Sequence, residues 1–480
     1  KRNMKQKTVW LVFVLLCLNI TMSRADEGKL EVWKAPEGVL LNDNFTVKVR
    51  RSGGAWKNLP SYLIKVDKVE GVRHVPLPSS MATFGFEGKV EVSVTYNKGE
   101  IRKACVRPAS RGIETVVEGN TLTFTLDKPG NFSVEVNGDI FNNLHLFANP
   151  IETDVPDKKD KDVIWYGPGI HRPDSGEVFR IPSGKTVYVA GGAVMMGQLL
   201  MDSVENVRLL GRGIVDHTVK MGIRISNSKN IYVEGLFATQ CATGGSEHVT
   251  IRNVKSISYY GWGDGMNIFA SRHVLFDNVF CRNSDDCTTV YGTRLGFTGA
   301  SSDITMRHSV LWADVAHPIF IGIHGDTKNP EVLENLTYED IDILDHKECQ
   351  LNYQGCMAIN AGDNNLIRNV RFENIRIENF RQGQLVNLRI FYNEKYCTAP
   401  GRGIEDVLFK DITYTGDHAE ISIIEGYNEE RKIKNIRFKN LKINGTVISD
   451  DMPGKPKWYH TGDMARIYVG PHVEGVVFER

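Results

Sequence analysis

A chain of 480 residues, 41% of them hydrophobic, is long enough for a large core and for two domains. Its 58 basic and 58 acidic side chains cancel to a formal charge of zero. No global field therefore recruits nucleic acid or an anionic membrane, which argues against polyanion binding as the main task.

The chain opens on a targeting pattern. "MKQK" from Met4 is basic, "TVWLVFVLLCLNI" is a short apolar run, and "SRA" ending at Ala25 fits a small-x-small cleavage site. The run is short for a membrane span. Residues 1–25 are thus expected to be a cleavable signal peptide, and the protein to be secreted or periplasmic without a stable membrane anchor. Cys17 leaves with the signal, so Cys105, Cys241, Cys281, Cys287, Cys349, Cys356 and Cys397 remain. They form no CxxC pair, which argues against zinc. Cys281 with Cys287, or Cys349 with Cys356, are spaced to pair in an oxidising compartment; buried thiols are the alternative.

Residues 26–155 are expected to form a β-sandwich domain. "KLEVWKA", "NFTVKVR", "KVEVSVTYN", "NTLTFTL", "NFSVEVN" and "LHLFA" alternate apolar and polar residues, and turns such as "NKGE" and "DKPGN" separate them. Period-two alternation with frequent turns predicts antiparallel pairing. "ETDVPDKKDKD", residues 152–162, is polar enough to read as a linker.

From 162 to 480 the texture changes. One phrase recurs: an Asn, Asp or His, an aliphatic residue, a polar one, a second apolar one, and often another Asn. It appears as "ENVRLLGRG", "KNIYVEGLF", "EHVTIRNVK", "RHVLFDNVF", "SDITMRHSV", "ENLTYEDIDI", "RNVRFENIRI", "EDVLFKDITY" and "KNIRFKNLKI". The anchoring aliphatics are Val207, Ile231, Val249, Val274, Ile304, Leu336, Val370, Val407 and Ile436, spaced 18 to 37 residues apart. Helical periodicity is absent. Stacked units of this kind bury aliphatic on aliphatic, which predicts an all-β solenoid, a right-handed parallel β-helix, after the sandwich.

Three consecutive coils carry unusual residues just before a strand. "YYGWGDGMNIFA" holds Asp264, "NSDDCTTVYG" holds Asp285 and Asp286, and "DVAHPIFIGIHGD" holds His317 and His324. Aligning "DGMNIFA", "DCTTVYG" and "HPIFIGI" puts Asp264, Asp286 and His317 in one column with Asp285 beside them. Strands about 4.8 Å apart would cluster these groups. Glycoside hydrolysis needs such a cluster, with one carboxyl protonating the leaving oxygen and another activating water. Crowding helps keep one acid protonated. Trp262, Tyr259, Tyr260 and Tyr291 lie close by in sequence and offer stacking faces for sugars or core aromatics. His324 is a candidate substrate contact.

"GDG", then "DDC" 21 residues later, resembles the polygalacturonase-type β-helix hydrolases of glycoside hydrolase family 28 and their clan partner, the dextranase–isopullulanase family 49. In both, three aspartates on adjacent coils carry out inverting hydrolysis. The resemblance implies that Asp285 is the general acid and that Asp264 and Asp286 activate water. His317 falls on the column position of the histidine in the polygalacturonase Gly-His-Gly motif, here flanked by Ala316 and Pro318. Polygalacturonases place an Arg-Ile-Lys on the next coil to bind the uronate carboxylate. This chain has "QGCMAINAGDNN" there, with Met357, Ala358 and Ile359 in place of cations; "LRIF", with Arg389, comes one coil later.

The missing cations, the N-terminal sandwich and the "D-x-x-H-P-I" texture bring the resemblance nearest to family 49. The expectation is an inverting hydrolase of a neutral polysaccharide, an α-glucan such as dextran or pullulan, needing no cofactor. His317, His324, Trp262, Tyr291 and Arg389 are its candidate substrate-binding residues. A hydrolase of uronic-acid polymers, a lyase and a non-catalytic carbohydrate-binding solenoid are the alternatives.

Overall fold

The computed structural model describes residues 28–480 except Val72 and His418. The expected signal peptide lies outside the described residues, among which no helix is long and apolar enough to cross a membrane.

The N-terminal part is a sandwich of a six-stranded and a five-stranded sheet. Alternation in Phe45–Arg51 turns Phe45, Val47 and Val49 inward, where they meet Phe84, Val92, Leu122 and Leu146. Each such side chain contributes about 1.5–3 kcal/mol on full burial. Among the described residues, pairing here is antiparallel with one exception: Leu144–Pro150 runs parallel to Ser80–Phe86. The chain reaches this position only after building the opposite layer, so a crossover replaces a hairpin. A long hairpin, Tyr62–Glu70 with Arg73–Phe86, is not apparent from the sequence. Pro76 and Pro78 argue against a strand there. They are accommodated because the 73–79 half is an edge: it pairs with 62–70 alone, while 144–150 covers 80–86.

Strands resume at Val163–Tyr166 and wind a parallel β-helix made of a twenty-stranded and an eleven-stranded sheet. Among the described strands its antiparallel pair is Leu441–Ile443 with Thr446–Ile448. All nine anchoring aliphatics fall in a single column, from Val207 over Ile231 to Val407 over Ile436. Nearer the C-terminus an aromatic file stands beside them. Tyr338, Phe372, Phe409, Phe438 and Phe478 stack at 5.5, 4.9, 4.7 and 4.7 Å.

The polar letters of the repeated phrase have a backbone reason. The residue before each anchor has left-handed φ: Asn206 55°, Asn230 56°, His248 56°, His273 54°, Asp303 57°, Asn335 59°, Asn369 52°, Asp406 56° and Asn435 58°. Asn and Asp tolerate that conformation best among residues with a side chain. Their side chains then pair between coils, Asn335 donating to Asp303 at 2.9 Å and Asn369 to Asn335 at 2.7 Å. The second Asn of the phrase repeats the device: Asn374 donates to Asp340 at 3.0 Å and Asn440 to Asp411 at 2.6 Å. One residue earlier the charges alternate up the stack, so that Arg272 meets Glu247 at 3.2 Å and Arg368 meets Glu334 at 2.7 Å.

All seven described cysteines are free thiols. Cys281 and Cys287 pack into the solenoid core rather than pairing, and Cys349 is exposed while Cys356 is buried.

The sandwich lies against the solenoid wall. Phe147 packs on Phe280 at 5.2 Å and on Phe237 at 6.4 Å, and Trp312 and Leu344 join the same apolar cluster. Through it runs Arg282, fully buried and stacked on Trp312 at 3.9 Å. Its guanidinium donates to Asp314 at 2.9 and 3.0 Å and to Asn143 of the sandwich at 3.1 Å. A further contact is His145 at 3.4 Å. Burial, then the charge of Arg282, holds the His145 imidazole well below its ordinary pKa, so the neutral ring accepts at Nε2 while Nδ1 faces the Ser80 carbonyl. The strand Phe280–Asn283, which delivers the Asp285–Asp286 pair, is thereby fixed to both domains.

Candidate active site

The carboxylates sit where one sheet of the solenoid passes into the next. Strand Met266–Phe269 pairs residue for residue with Thr288–Tyr291, and Thr289 and Val290 pair with Phe320 and Ile321. Carried back two residues, that register places Asp264, Asp286 and His317 on consecutive rungs. Gly265 and Cys287 continue the ladder by donating to the Asp286 and His317 carbonyls at 2.9 and 2.8 Å.

Asp264, Asp285 and Asp286 line one cavity of about 810 Å³. Asp264 accepts from Asn267 at 2.7 Å, and Asn267 in turn accepts from the Thr289 hydroxyl at 2.9 Å. Burial, then the charge of Asp286, lifts the Asp264 carboxyl to about 7 against the opposing pull of Asn267 and Arg294. Asp285 is also raised, well above the usual carboxylate range. Burial is the main cause, followed by Asp264 and Asp286. It accepts from the Asp286 backbone N–H at 3.0 Å.

Asp286 is held differently. It accepts from the His317 backbone N–H at 3.0 Å, from His317 Nδ1 at 2.6 Å and from the Tyr291 hydroxyl at 3.4 Å. His317 Nε2 faces the Tyr353 carbonyl at 2.6 Å. Each ring nitrogen therefore faces an acceptor, a demand met by the doubly protonated ring. Burial would lower the pKa of His317, but the Asp286 charge and its hydrogen bond outweigh that, and the pKa is raised. Phe320 stacks on the ring at 4.5 Å.

The candidate substrate-binding residues part company here. Trp262, Tyr291 and His324 line the cavity with the three acids. His324 stands edge-on to Tyr291 at 4.9 Å, and burial, aided by Arg294, lowers its pKa to about 4. His317 is fully buried with both nitrogens engaged, so it supports Asp286 from behind and leaves no atom for a sugar. Arg389 lies outside the cavity, held by Glu425 at 2.7 Å and Asn352 at 2.5 Å. Its strand, Val386–Ile390, lies three rungs beyond Thr288–Tyr291, past the coils of His317 and Met357.

Several lining residues come from segments without a readable motif. Arg294 and Leu295 rise from the loop after Tyr291, and Glu348, Tyr353, Lys395 and Tyr396 form another wall. His74 comes from the sandwich, from the proline-containing hairpin. Of these, Tyr353 and Tyr396, stacked at 5.1 Å, carry an aromatic signal that a sequence reading could use.

The family model described as glycosyl hydrolases family 28 matches residues 199–456, more than half of the chain and all of the coils that carry the column. No curated protein matches the sequence. Among solved structures, Dex49A from Penicillium minioluteum superposes with a TM-score of 0.60 at 12% identity, covering 93% of this chain and 96% of its own. The Yersinia enterocolitica family 28 exopolygalacturonase gives 0.47 at 12% identity, covering 81% and 96%. The likeness to Dex49A is one of fold and spans the sandwich as well as the solenoid. The absent Arg-Ile-Lys bears on the substrate, whereas membership rests on the whole matched segment. The chain belongs to glycosyl hydrolases family 28, and it is a glycoside hydrolase.

Proposed function

We propose that this protein is an exported, inverting hydrolase of a neutral polysaccharide, an α-glucan such as dextran or pullulan. The observation that carries the catalytic part is the division of labour within the column. Asp285 is held protonated by burial and by its two neighbours, the form a general acid needs to protonate the leaving oxygen. Asp286, bound to the His317 imidazolium, acts as a base on water from the opposite face, with Asp264 as its partner. His317 moves no proton in the reaction; it keeps Asp286 oriented.

The neutral substrate is supported by the coil after His317 and by the walls of the cavity. Met357, Ala358 and Ile359 are buried apolar residues where uronate-binding cations would be needed. The open walls are Trp262, Leu295, Tyr353 and Tyr396, faces suited to sugar rings. A second reading, a uronic-acid polymer, is favoured by Arg294, an exposed cation in the same cavity close enough to act on Asp264. Reducing-end release from dextran, pullulan and polygalacturonate separates the two. Turnover of either glucan alone supports the first reading, and turnover of polygalacturonate alone overturns it. NMR of the earliest products is expected to show the inverted anomer; retention would overturn the single-displacement mechanism.

A further inference from the structure

The sandwich reaches the catalytic cavity through His74. Its partner is Asp67 on the facing strand of the hairpin, whose Oδ2 contacts His74 Nδ1. The Asp67 side chain is 0% exposed and that of His74 40% exposed. Burying a carboxylate is costly, and here it fixes one nitrogen of a single half-exposed ring. With Nδ1 engaged, Nε2 is the polar atom that the imidazole turns to the cavity.

The hairpin is also held in place. Lys347, on the solenoid, donates to the Val69 carbonyl at 3.0 Å, and the Lys347 carbonyl accepts from Ala316, the residue before His317. Opposite His74, the loop before Asp264 passes so close that a Cβ on Gly261 would lie 3.6 Å from His74 Nε2. The next residue, Trp262, is 88% exposed with φ 56°. A bulky residue in left-handed backbone, left open to solvent, is unfavourable unless it serves a purpose.

We propose that His74 and Trp262 form a sugar-binding subsite at the sandwich end of the cleft. Trp262 presents a flat apolar face to a pyranose ring, and His74 Nε2 takes a hydrogen bond from or gives one to a ring hydroxyl. The cavity volume of about 810 Å³ lies in the range that encloses a drug-sized ligand, so several sugar units fit between this end and Asp285. Asp67 is a positioning residue, and the sandwich is part of the binding machinery rather than a spacer. This inference rests on the hydrolase reading for its ligand class.

The test uses the full-length enzyme on whichever of dextran, pullulan and polygalacturonate it degrades. His74→Ala is expected to raise KM about 10-fold, the worth of one lost hydrogen bond, with kcat within about 2-fold; it also leaves the buried Asp67 carboxyl without its imidazole partner, so the melting temperature falls. His74→Gln is expected to recover part of the loss, and Asp67→Asn to raise KM by less than His74→Ala. An unchanged KM in His74→Ala, or a fall in kcat at constant KM, overturns the subsite. If the wild type degrades none of the three polymers, the substrate reading fails separately. Affinity electrophoresis in gels of the same polymers then decides: weaker retardation of His74→Ala than of wild type supports the subsite. Equal retardation, or none for the wild type, overturns it.

Discussion

Two columns of polar side chains climb the same coils and obey opposite rules. On the turn side, Asn and Asp occupy left-handed positions, and each amide donates to the rung before it until an acceptor-only aspartate ends the run. Burial would raise the pKa of Asp303 there, but Asn335, Ser302 and His273 outweigh it and hold the carboxyl below its ordinary range. On the cavity side the same register stacks Asp264 on Asp286, with Asp285 beside them, and burial with like charge raises both Asp264 and Asp285. A ladder whose rungs satisfy one another stabilises the solenoid. A column whose rungs repel costs stability, and what it supplies is two carboxyls raised above their ordinary range beside a third held by His317.

The contrast is broken most severely at Asp285. Asp285→Asn removes the proposed proton donor and is expected to cut kcat by about 10³-fold or more, read as reducing-end release. Its melting temperature should not fall, because a raised carboxyl is replaced by a neutral isostere. Retained turnover would sink the assignment of the acid.

Arg282→Met attacks the support beneath the column instead. Buried Asp314 would lose both close bonds from Arg282 and keep only Arg381 at 3.4 Å, a loss of up to about 3 kcal/mol. Urea denaturation measures it, and the double change Arg282→Met with Asp314→Leu should recover most of that loss. A single variant as stable as wild type would show that the sandwich does not brace the catalytic strand through this residue.

How much of the molecule is legible in its sequence follows from which residues obey a period. The nine anchors repeat, so their stacking can be read directly, and the rung from Asp264 through Asp286 to His317 follows from the same register. What does not repeat does not show. Arg294 and Lys395 sit on coil insertions of individual length, and His74 lies in a strand disguised by Pro76 and Pro78, which only an edge position allows. His317 stands on the expected rung but faces Asp286 instead of a sugar. Register fixes which coil a side chain belongs to, whereas whether a ring faces the cavity or the strand behind it depends on the loops packed over it, here the one carrying Tyr353. Arg389 fails for the complementary reason: its charge suggests a ligand, but Glu425 on the next rung already satisfies it.

The last two changes probe the columns by pH and should have opposite signs. Asp264 is raised in the folded protein, so its contribution to stability is fully present below the unfolded pKa and is lost as pH rises towards about 7. Asp264→Asn removes that loss. It should melt with wild type near pH 4 and about 3 °C above it at pH 7.5. A tenfold weaker acid in the folded state corresponds to about 1.4 kcal/mol, and a cavity open to solvent returns only part of the full amount. Asp303 is depressed, so its contribution is present above the unfolded pKa and disappears as pH falls through the folded one. Asp303→Asn should therefore melt below wild type at pH 7.5, by about 1 °C or less because the carboxyl is largely solvated, and match it under acid conditions. Parallel pH profiles for the two variants would mean that the columns do not differ in how they hold charge, and the division of labour inferred for the acids would lose its physical basis.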